Sequence, residues 1–249
     1  MGKMKRVFLL CSLILSVLVL PVYAQNPEHF YNAPENINPD PNYVPGDFPL
    51  ADVAQAKAVY QTKKEALAKK TGMVSTQGAG EIVFTSYKNE TVTVLGYLRE
   101  YFGVAEVDAA GDPLRMDMVL DLNSLDTAIP GRNNRILNIF FESMNPDYGT
   151  LEIVFDRFMT VIVEDVEGKP KAVTALGTLK MNGVEQEITA ELNITRTGDA
   201  WLVKSREPVV LYIADFNFGN RVYDLMKACN HKALGNKVEV NVELNFKKE

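Results

Sequence analysis

Large apolar side chains recur at every second position in several stretches of this chain. The pattern is clear in residues 151–156, and it returns in residues 184–194 and 238–246, where charged or amide residues fill the alternate positions. Successive side chains of a β-strand point to opposite faces of its sheet. Each stretch therefore predicts a strand that is buried on one face and wet on the other.

Turn sequences separate these stretches. Asn182-Gly183 lies between two alternating segments and predicts a hairpin with a two-residue turn, in which both residues adopt positive φ. About eight to ten strands are expected from this spacing, which is typical of a β-sandwich or a closed antiparallel barrel. The alternation alone does not choose between these two folds. Similar turns are predicted at 88–90, 110–112, 167–169 and 197–199.

Residues 1–24 have the pattern of a signal peptide. A basic start is followed by the apolar run Val7–Leu20 and by the small residue Ala24. The run is shorter than the ~20 residues that span a membrane comfortably. We expect cleavage after Ala24 and a periplasmic protein, with an uncleaved anchor as the alternative.

Two different segments precede the strands. Residues 25–50 contain six prolines and five asparagines and predict an extended linker or wrapping arm. Residues 51–70 carry apolar side chains at helical spacing, with lysines between them, and predict an amphipathic helix that starts near Asp52. The helix either packs on the following domain or touches anionic lipid. The predicted divisions are thus 1–24, 25–75 and 76–249.

The charge of the chain argues against nucleic acid as a partner. Loss of residues 1–24 would remove three of the 26 basic residues and none of the 32 acidic ones, and would shift the net charge from −6 to −9. Such a surface repels phosphate backbones. Cys229 would then be the only cysteine, so an intramolecular disulfide is excluded, whereas a homodimer linked through Cys229 is possible.

Two motifs carry a family resemblance. In the first, Asn123-Ser124 is followed by Thr127, by Arg132-Asn133 in a polar turn, and by an apolar segment that ends in Phe140 and Phe141. The second is a Gly-x-Leu-x-Met-x-Gly-Val hairpin at residues 177–184. Together they resemble the YceI-like family of secreted lipid-binding β-barrels, over roughly residues 80–246.

The resemblance implies a fold and a ligand. It implies an all-β, antiparallel lipocalin-like barrel with one short internal helix at about 132–140, and an isoprenoid-type lipid such as a polyprenyl chain or a quinone tail. This chain departs from the family pattern in three places. Residues 77–96 lack histidine, Asn133 stands where an aspartate is usual, and residues 221–236 predict an added helix and turn.

The predicted ligand site is the barrel interior. Inward positions carry large, flexible side chains that suit a floppy hydrocarbon, although such stripes also form filled cores. Arg132 or Arg135 would meet a head group, or else pair with loop carboxylates while the helix plugs the barrel. The predicted ligand-binding residues are Phe84, Met116, Met118, Leu120, Arg132, Phe140, Phe155, Ile188, Leu192, Val240 and Leu244.

Catalytic chemistry is not predicted. Cys229 and His231 lie two residues apart, but a metal site needs three or four ligands, and no hydrolase, phosphate-loop or dinucleotide motif is present. The paired carboxylates Asp117/Asp121 and Glu185/Glu187 are expected on the outward, solvated face. We expect no metal and no cofactor.

Three functions follow from these patterns. The first is a non-catalytic periplasmic protein that binds a long apolar ligand. The second is an envelope protein-interaction module whose barrel core is filled. The third and weakest is a catalyst that uses Asp215, Cys229 and His231.

Overall fold

The computed structural model describes residues 30–32, 54–70, 74–76, 80–89, 91–160 and 166–248. The predicted signal peptide and most of the predicted proline-rich arm lie outside these residues. In chain order the elements are β1 (Phe30–Asn32), α1 (Ala54–Ala68), β2 (Val74–Thr76), β3 (Glu81–Lys88), β4 (Val92–Leu98), β5 (Tyr101–Val107), β6 (Pro113–Asp121), β7 (Leu125–Asp126), α2 (Pro130–Arg135), β8 (Thr150–Thr160), β9 (Lys171–Met181), β10 (Val184–Thr197), β11 (Ala200–Ser205), β12 (Val209–Tyr212), α3 (Arg221–Ala228) and β13 (Ala233–Lys248). Short 3-10 turns cover Leu122–Ser124 and Ile213–Phe216, and a π-helical turn, Ile136–Phe140, continues α2.

Eight antiparallel strands close into a barrel. They follow the order β2-β5-β6-β8-β9-β10-β11-β13, and β13 then pairs with β2 to complete the ring. The long strand β13 pairs with β11 and β2 in its second half, and with β12 and β3 in its first half. The prediction of an antiparallel barrel is confirmed, and closure leaves the eight strands of the ring paired on both sides.

The predicted hairpin at Asn182-Gly183 is confirmed. Met181 pairs with Val184 across a two-residue turn, and φ is 54° at Asn182 and 74° at Gly183. The same hairpin explains the first glycine of its motif, because a Cβ on Gly177 would lie 1.9 Å from the carbonyl oxygen of Val154. Only glycine allows β8 and β9 to approach this closely.

The predicted helices are also present. Pro130 opens α2 because its fixed φ suits the first turn of a helix, so the helix begins two residues before the predicted start. The helix predicted within residues 221–236 is α3. Of the predicted arm, Phe30–Asn32 form β1 and pair with Ala233–Gly235 of β13. No helix among the described residues is long and apolar enough to cross a membrane.

Helix α1 packs on the outside of the barrel, against β5, β6 and β8. Ala56 and Tyr60 are buried in this contact. Two lysines link this segment to the barrel. Lys63 Nζ, within the helix, lies 3.0 Å from Glu152 Oε1, and Lys70 Nζ, just after the helix, lies 2.7 Å from Asp117 Oδ2.

The prediction that Asp117 and Asp121 are solvated is wrong. Both side chains point outward from β6, but they are only 5% and 3% exposed, because α1 covers this face. Burial raises the pKa of Asp117, but hydrogen bonds from Arg115 and Lys70 outweigh it and hold that pKa below its usual value. Burial raises the pKa of Asp121, whose carboxylate caps the 3-10 turn by accepting a hydrogen bond from the backbone N–H of Asn123.

The barrel is filled at one end. There Met116, Leu192, Trp201 and Phe246 pack together around a void of only about 20 Å³. The indole Nε1 of Trp201 donates to the carbonyl oxygen of Gly111 at 2.9 Å, so the polar atom of this large side chain is satisfied. The helical segments lie towards the other end, where the interior contains a larger cavity.

Candidate functional site

A cavity of about 380 Å³ occupies the end of the barrel opposite Trp201. Strands β3, β4, β12 and β13 form one side, and α2, its π-helical turn and the segment around α3 form the other. Its volume falls within the ~300–1,000 Å³ that is typical of small-molecule pockets. The strand residues on its apolar wall include Phe84, Val94, Leu98, Leu211, Val238 and Val240.

Three aromatic rings form part of the helical side of the cavity. Phe140 stacks on Phe218 with their centroids 4.0 Å apart and their planes at 17°, and Phe141 meets both rings edge-on. The π-helical turn brings Phe140 and Phe141 to this place, and Phe218 follows the 3-10 turn before α3. Stacked and edge-on pairs of this kind contribute about 0.5–1.5 kcal/mol beyond their burial, so this wall is preorganised.

The motif residues around Thr127 hold α2 in position. The hydroxyl of Thr127 donates to Asn133 Oδ1, and the backbone N–H of Thr127 donates to the same oxygen at 2.9 Å. The Thr127 hydroxyl also accepts a hydrogen bond of 2.8 Å from Arg132 Nε. Asn133 therefore uses one oxygen as a carboxylate would, which explains why an amide can stand at this position.

The other motif residues have structural roles. The hydroxyl of Ser124 accepts from the backbone N–H groups of Arg99 and Glu100, and donates to the carbonyl oxygen of Asp121 at 2.6 Å. Asn123 accepts a hydrogen bond from Ser143. The motif that identifies the family thus orders the chain between β6 and β8, and it contributes Leu125, Arg132, Ile136, Phe140 and Phe141 to the cavity wall.

One end of the cavity is cationic. Lys88, the last residue of β3, pairs in register with Leu234, and His231 lies three residues before Leu234. Arg132 and Arg135 approach from α2, and all four of these side chains line the cavity. No aspartate or glutamate is among the described residues that line it.

The pKa values at this end reflect the crowding of positive charge. Burial lowers the pKa of His231, and the neighbouring Lys88 and Arg135 lower it further. Burial also lowers the pKa of Arg132, and Arg135 adds to the effect. The side chains of these four residues are all half-buried, so their charges are only partly screened by water.

The predicted ligand-binding residues divide between the cavity and the core. Phe84, Arg132, Phe140 and Val240 line the cavity. Ile188 is half-buried against the core. The remaining residues are buried in the core and do not line this cavity; they are Met116, Met118, Leu120, Phe155, Leu192 and Leu244.

Several cavity residues were not predicted from the sequence. Lys88, Phe216, Phe218, Cys229 and His231 all line the cavity, and they lie in or next to turns and short helices. Residues in turns and short helices follow no strand alternation, so the sequence does not show that they face the interior. The sequence offered one indication of their role. Phe216, Phe218, Cys229 and His231 lie in or just before residues 221–236, the segment that was predicted as an addition to the family pattern.

The three residues of the catalytic hypothesis do not meet at the cavity. Cys229 and His231 lie on its wall, but Asp215 is exposed and does not line it. Within the described part of the chain, no group of three or more His, Cys, Asp and Glu side chains is placed to hold a metal ion. Cys229 is half-buried, and the homodimer linked through it stays a prediction.

The fold and the cavity define a class of protein: antiparallel, lipocalin-like barrels with an apolar ligand cavity at one end. Residues 69–246 match the YceI-like domain. The chain belongs to the YceI-like family.

Solved structures show the same fold. A polyisoprenoid binding domain from Saccharophagus degradans, implicated in plant cell wall breakdown, superposes with a TM-score of 0.61 at 21% identity, over 72% of this chain and 100% of that domain. BcnA of Burkholderia cenocepacia superposes with a TM-score of 0.50 at 15% identity, over 67% of this chain and 95% of BcnA. No curated protein sequence is significantly similar to the chain.

Proposed function

We propose that this protein is a non-catalytic carrier that holds a long apolar molecule, an isoprenoid-type lipid or a quinone tail, in the cavity at the helical end of the barrel. The observation that carries the proposal is the cavity itself, which stays open at about 380 Å³ while the opposite end is filled. Membership in the YceI-like family and the likeness to a polyisoprenoid binding domain support the choice of ligand.

The size of the cavity limits the tail. At roughly 30 Å³ for each water-sized group, the cavity accepts about a dozen such groups. Two to three isoprene units would fill it, and a longer polyprenyl chain would have to extend beyond it. Each buried methylene contributes ~0.8 kcal/mol, so a tail of this size gives useful affinity after the ordering costs.

The place of action is part of the same proposal. The basic start, apolar run and small residue of segment 1–24 favour export to the periplasm. Contact with a membrane surface would involve Lys57, the exposed lysine of α1, since Lys63 of the helix and Lys70 after it bind the barrel. Flotation with anionic vesicles tests this contact.

Native mass spectrometry tests the carrier proposal. The protein is isolated from the periplasmic fraction without detergent, its mass is recorded, and bound material is extracted with organic solvent. We expect a discrete added mass that extraction removes and that is identified as an isoprenoid. A bare polypeptide that stays bare after incubation with isoprenoid quinones and alcohols would contradict the proposal and favour the protein-interaction alternative.

A further inference from the structure

The described residues of the cavity wall supply no acidic side chain to its cationic end. Arg132 donates to the hydroxyl and the carbonyl oxygen of Thr127, which are neutral acceptors. Within the described residues, the ion pairs do not include Arg132 or Lys88. Two arginines, a lysine and a histidine therefore share one partly desolvated region without an acidic side chain on the cavity wall.

This cluster of basic side chains contrasts with the net charge of the chain, which is −6. Elsewhere on this barrel, cations meet carboxylates directly, as Lys171 does with Asp112 at 2.7 Å and Arg221 with Glu142 at 3.1 Å. Like charges held close together in a medium less polar than water repel one another, and an anion placed among them relieves that repulsion. Guanidinium groups bind carboxylates and phosphates with paired hydrogen bonds.

We propose that the ligand is an anionic amphiphile, whose phosphate or carboxylate head group lies among Lys88, Arg132, Arg135 and His231 while its tail fills the apolar part of the cavity. This inference rests on the proposed carrier function, because the tail occupies the same cavity. It goes beyond that function by assigning a charge to the head group. A neutral quinone or alcohol would bring no anion to this group of basic side chains.

Two ligands with one tail test the inference. Binding of farnesyl phosphate and of farnesol to the delipidated protein is measured by isothermal titration calorimetry at low and at physiological salt. We expect farnesyl phosphate to bind at least tenfold more tightly, with a difference that shrinks as salt rises. Farnesoic acid replaces the phosphate by a carboxylate, and inorganic phosphate measures the head group alone.

Charge-removing variants locate the head group. Lys88→Gln and Arg135→Gln should each weaken the binding of farnesyl phosphate several-fold more than they weaken the binding of farnesol. Lys232→Gln is the matched control, because Lys232 is exposed, adjoins His231 in sequence and does not line the cavity. A second readout is the pKa of His231 measured by NMR, which should rise when farnesyl phosphate binds and stay constant with farnesol.

The outcomes separate this inference from the carrier proposal. Equal and tight binding of farnesol and farnesyl phosphate would overturn the anionic head group and leave the carrier function intact. Binding of neither ligand would overturn both. Inorganic phosphate that binds as tightly as farnesyl phosphate would also overturn the inference, because the tail would then contribute nothing.

Discussion

At the scale of single residues, the hydroxyl of Tyr60 is an unusual feature. The Tyr60 side chain is 1% exposed beneath α1, and its oxygen has no hydrogen-bond partner among the described residues. Burial raises the pKa of Tyr60 to about 12, and the nearby Glu100 and Asp121 contribute to the rise. A buried polar atom without a partner costs about 1–3 kcal/mol.

Removal of this hydroxyl should therefore not lower the free energy of unfolding. We expect Tyr60→Phe to keep or raise the free energy of unfolding by about 1 kcal/mol, and Tyr60→Ala to lower it by about 3–5 kcal/mol because it leaves a hole under α1. Urea denaturation of the three proteins measures both changes. A clear loss of stability in Tyr60→Phe would reveal a hydrogen bond from the hydroxyl, for example to a buried water.

His231 should make the fold sensitive to weak acid. Its folded pKa lies below the ordinary value of 6.5, since burial and the cations Lys88, Arg135 and Arg132 disfavour its charged form. As pH falls below 6.5, the unfolded chain takes up a proton before the folded chain does, so stability falls until pH passes the folded pKa. Above that window His231 has no effect.

The comparison with His231→Gln isolates this contribution. We expect the wild type to lose more unfolding free energy than His231→Gln between pH 7.5 and 5.5, as measured by urea denaturation at each pH. Asp121 and Asp215, whose pKa values burial raises, act in the opposite direction at lower pH and are present in both proteins. Identical pH profiles would show that His231 titrates normally in the fold.

At the scale of elements, one hydroxyl makes two of the hydrogen bonds that position α2. Thr127 is 3% exposed, and its side chain links Asn133 to Arg132. Thr127→Val keeps the shape but removes both hydrogen bonds, so we expect a loss of about 1–3 kcal/mol in the free energy of unfolding. Thr127→Ser keeps the hydroxyl and is the control.

The same pair of variants should separate in ligand binding. Loss of the two hydroxyl hydrogen bonds loosens α2 and the π-helical turn, which carry Arg132 and Phe140 into the cavity. Thr127→Val should therefore bind farnesol several-fold more weakly than Thr127→Ser does, in a calorimetric titration well below the unfolding temperature. Equal affinities would mean that the rest of the barrel holds α2 in place.

The elements themselves were largely predictable, because their signals are local. Alternation in residues 238–246 and the positive φ that Asn182-Gly183 requires both depend on neighbours along the chain. The environment of Asp117 was not predictable in this way. The period of two predicts that its side chain points outward. Its burial depends on α1, whose last residue, Ala68, lies 49 residues earlier along the chain.

At the scale of the whole molecule, the cavity was only partly predictable for a related reason. A period of two tells which side of the barrel a residue faces, but it does not tell the height of that residue along the barrel axis. Met116 and Val240 were both predicted to face inward, and both do. Met116 lies at the filled end, where Trp201 and Phe246 occupy the interior, and Val240 lies at the open end.

The division of the barrel into a filled end and an open end leads to opposite expectations for two inward residues. Leu192 is 2% exposed in the filled end, so Leu192→Ala should cost about 2–5 kcal/mol of unfolding free energy and leave the affinity for farnesol within about twofold. Val240 is half-buried on the cavity wall, so the extra volume of Val240→Trp enters empty space. That variant should keep its stability within about 1 kcal/mol and lose at least about tenfold in affinity.

Thermal unfolding and calorimetric titration with farnesol measure both variants under one set of conditions. The comparison of the two variants is the test, because a loss of both stability and binding in one variant would show only that this variant has unfolded. If folded Leu192→Ala weakened farnesol as much as Val240→Trp does, the tail would have to reach past the middle of the barrel into the filled end. The side chains around Trp201 would then have to open when ligand binds, and the barrel would carry its ligand along its whole length.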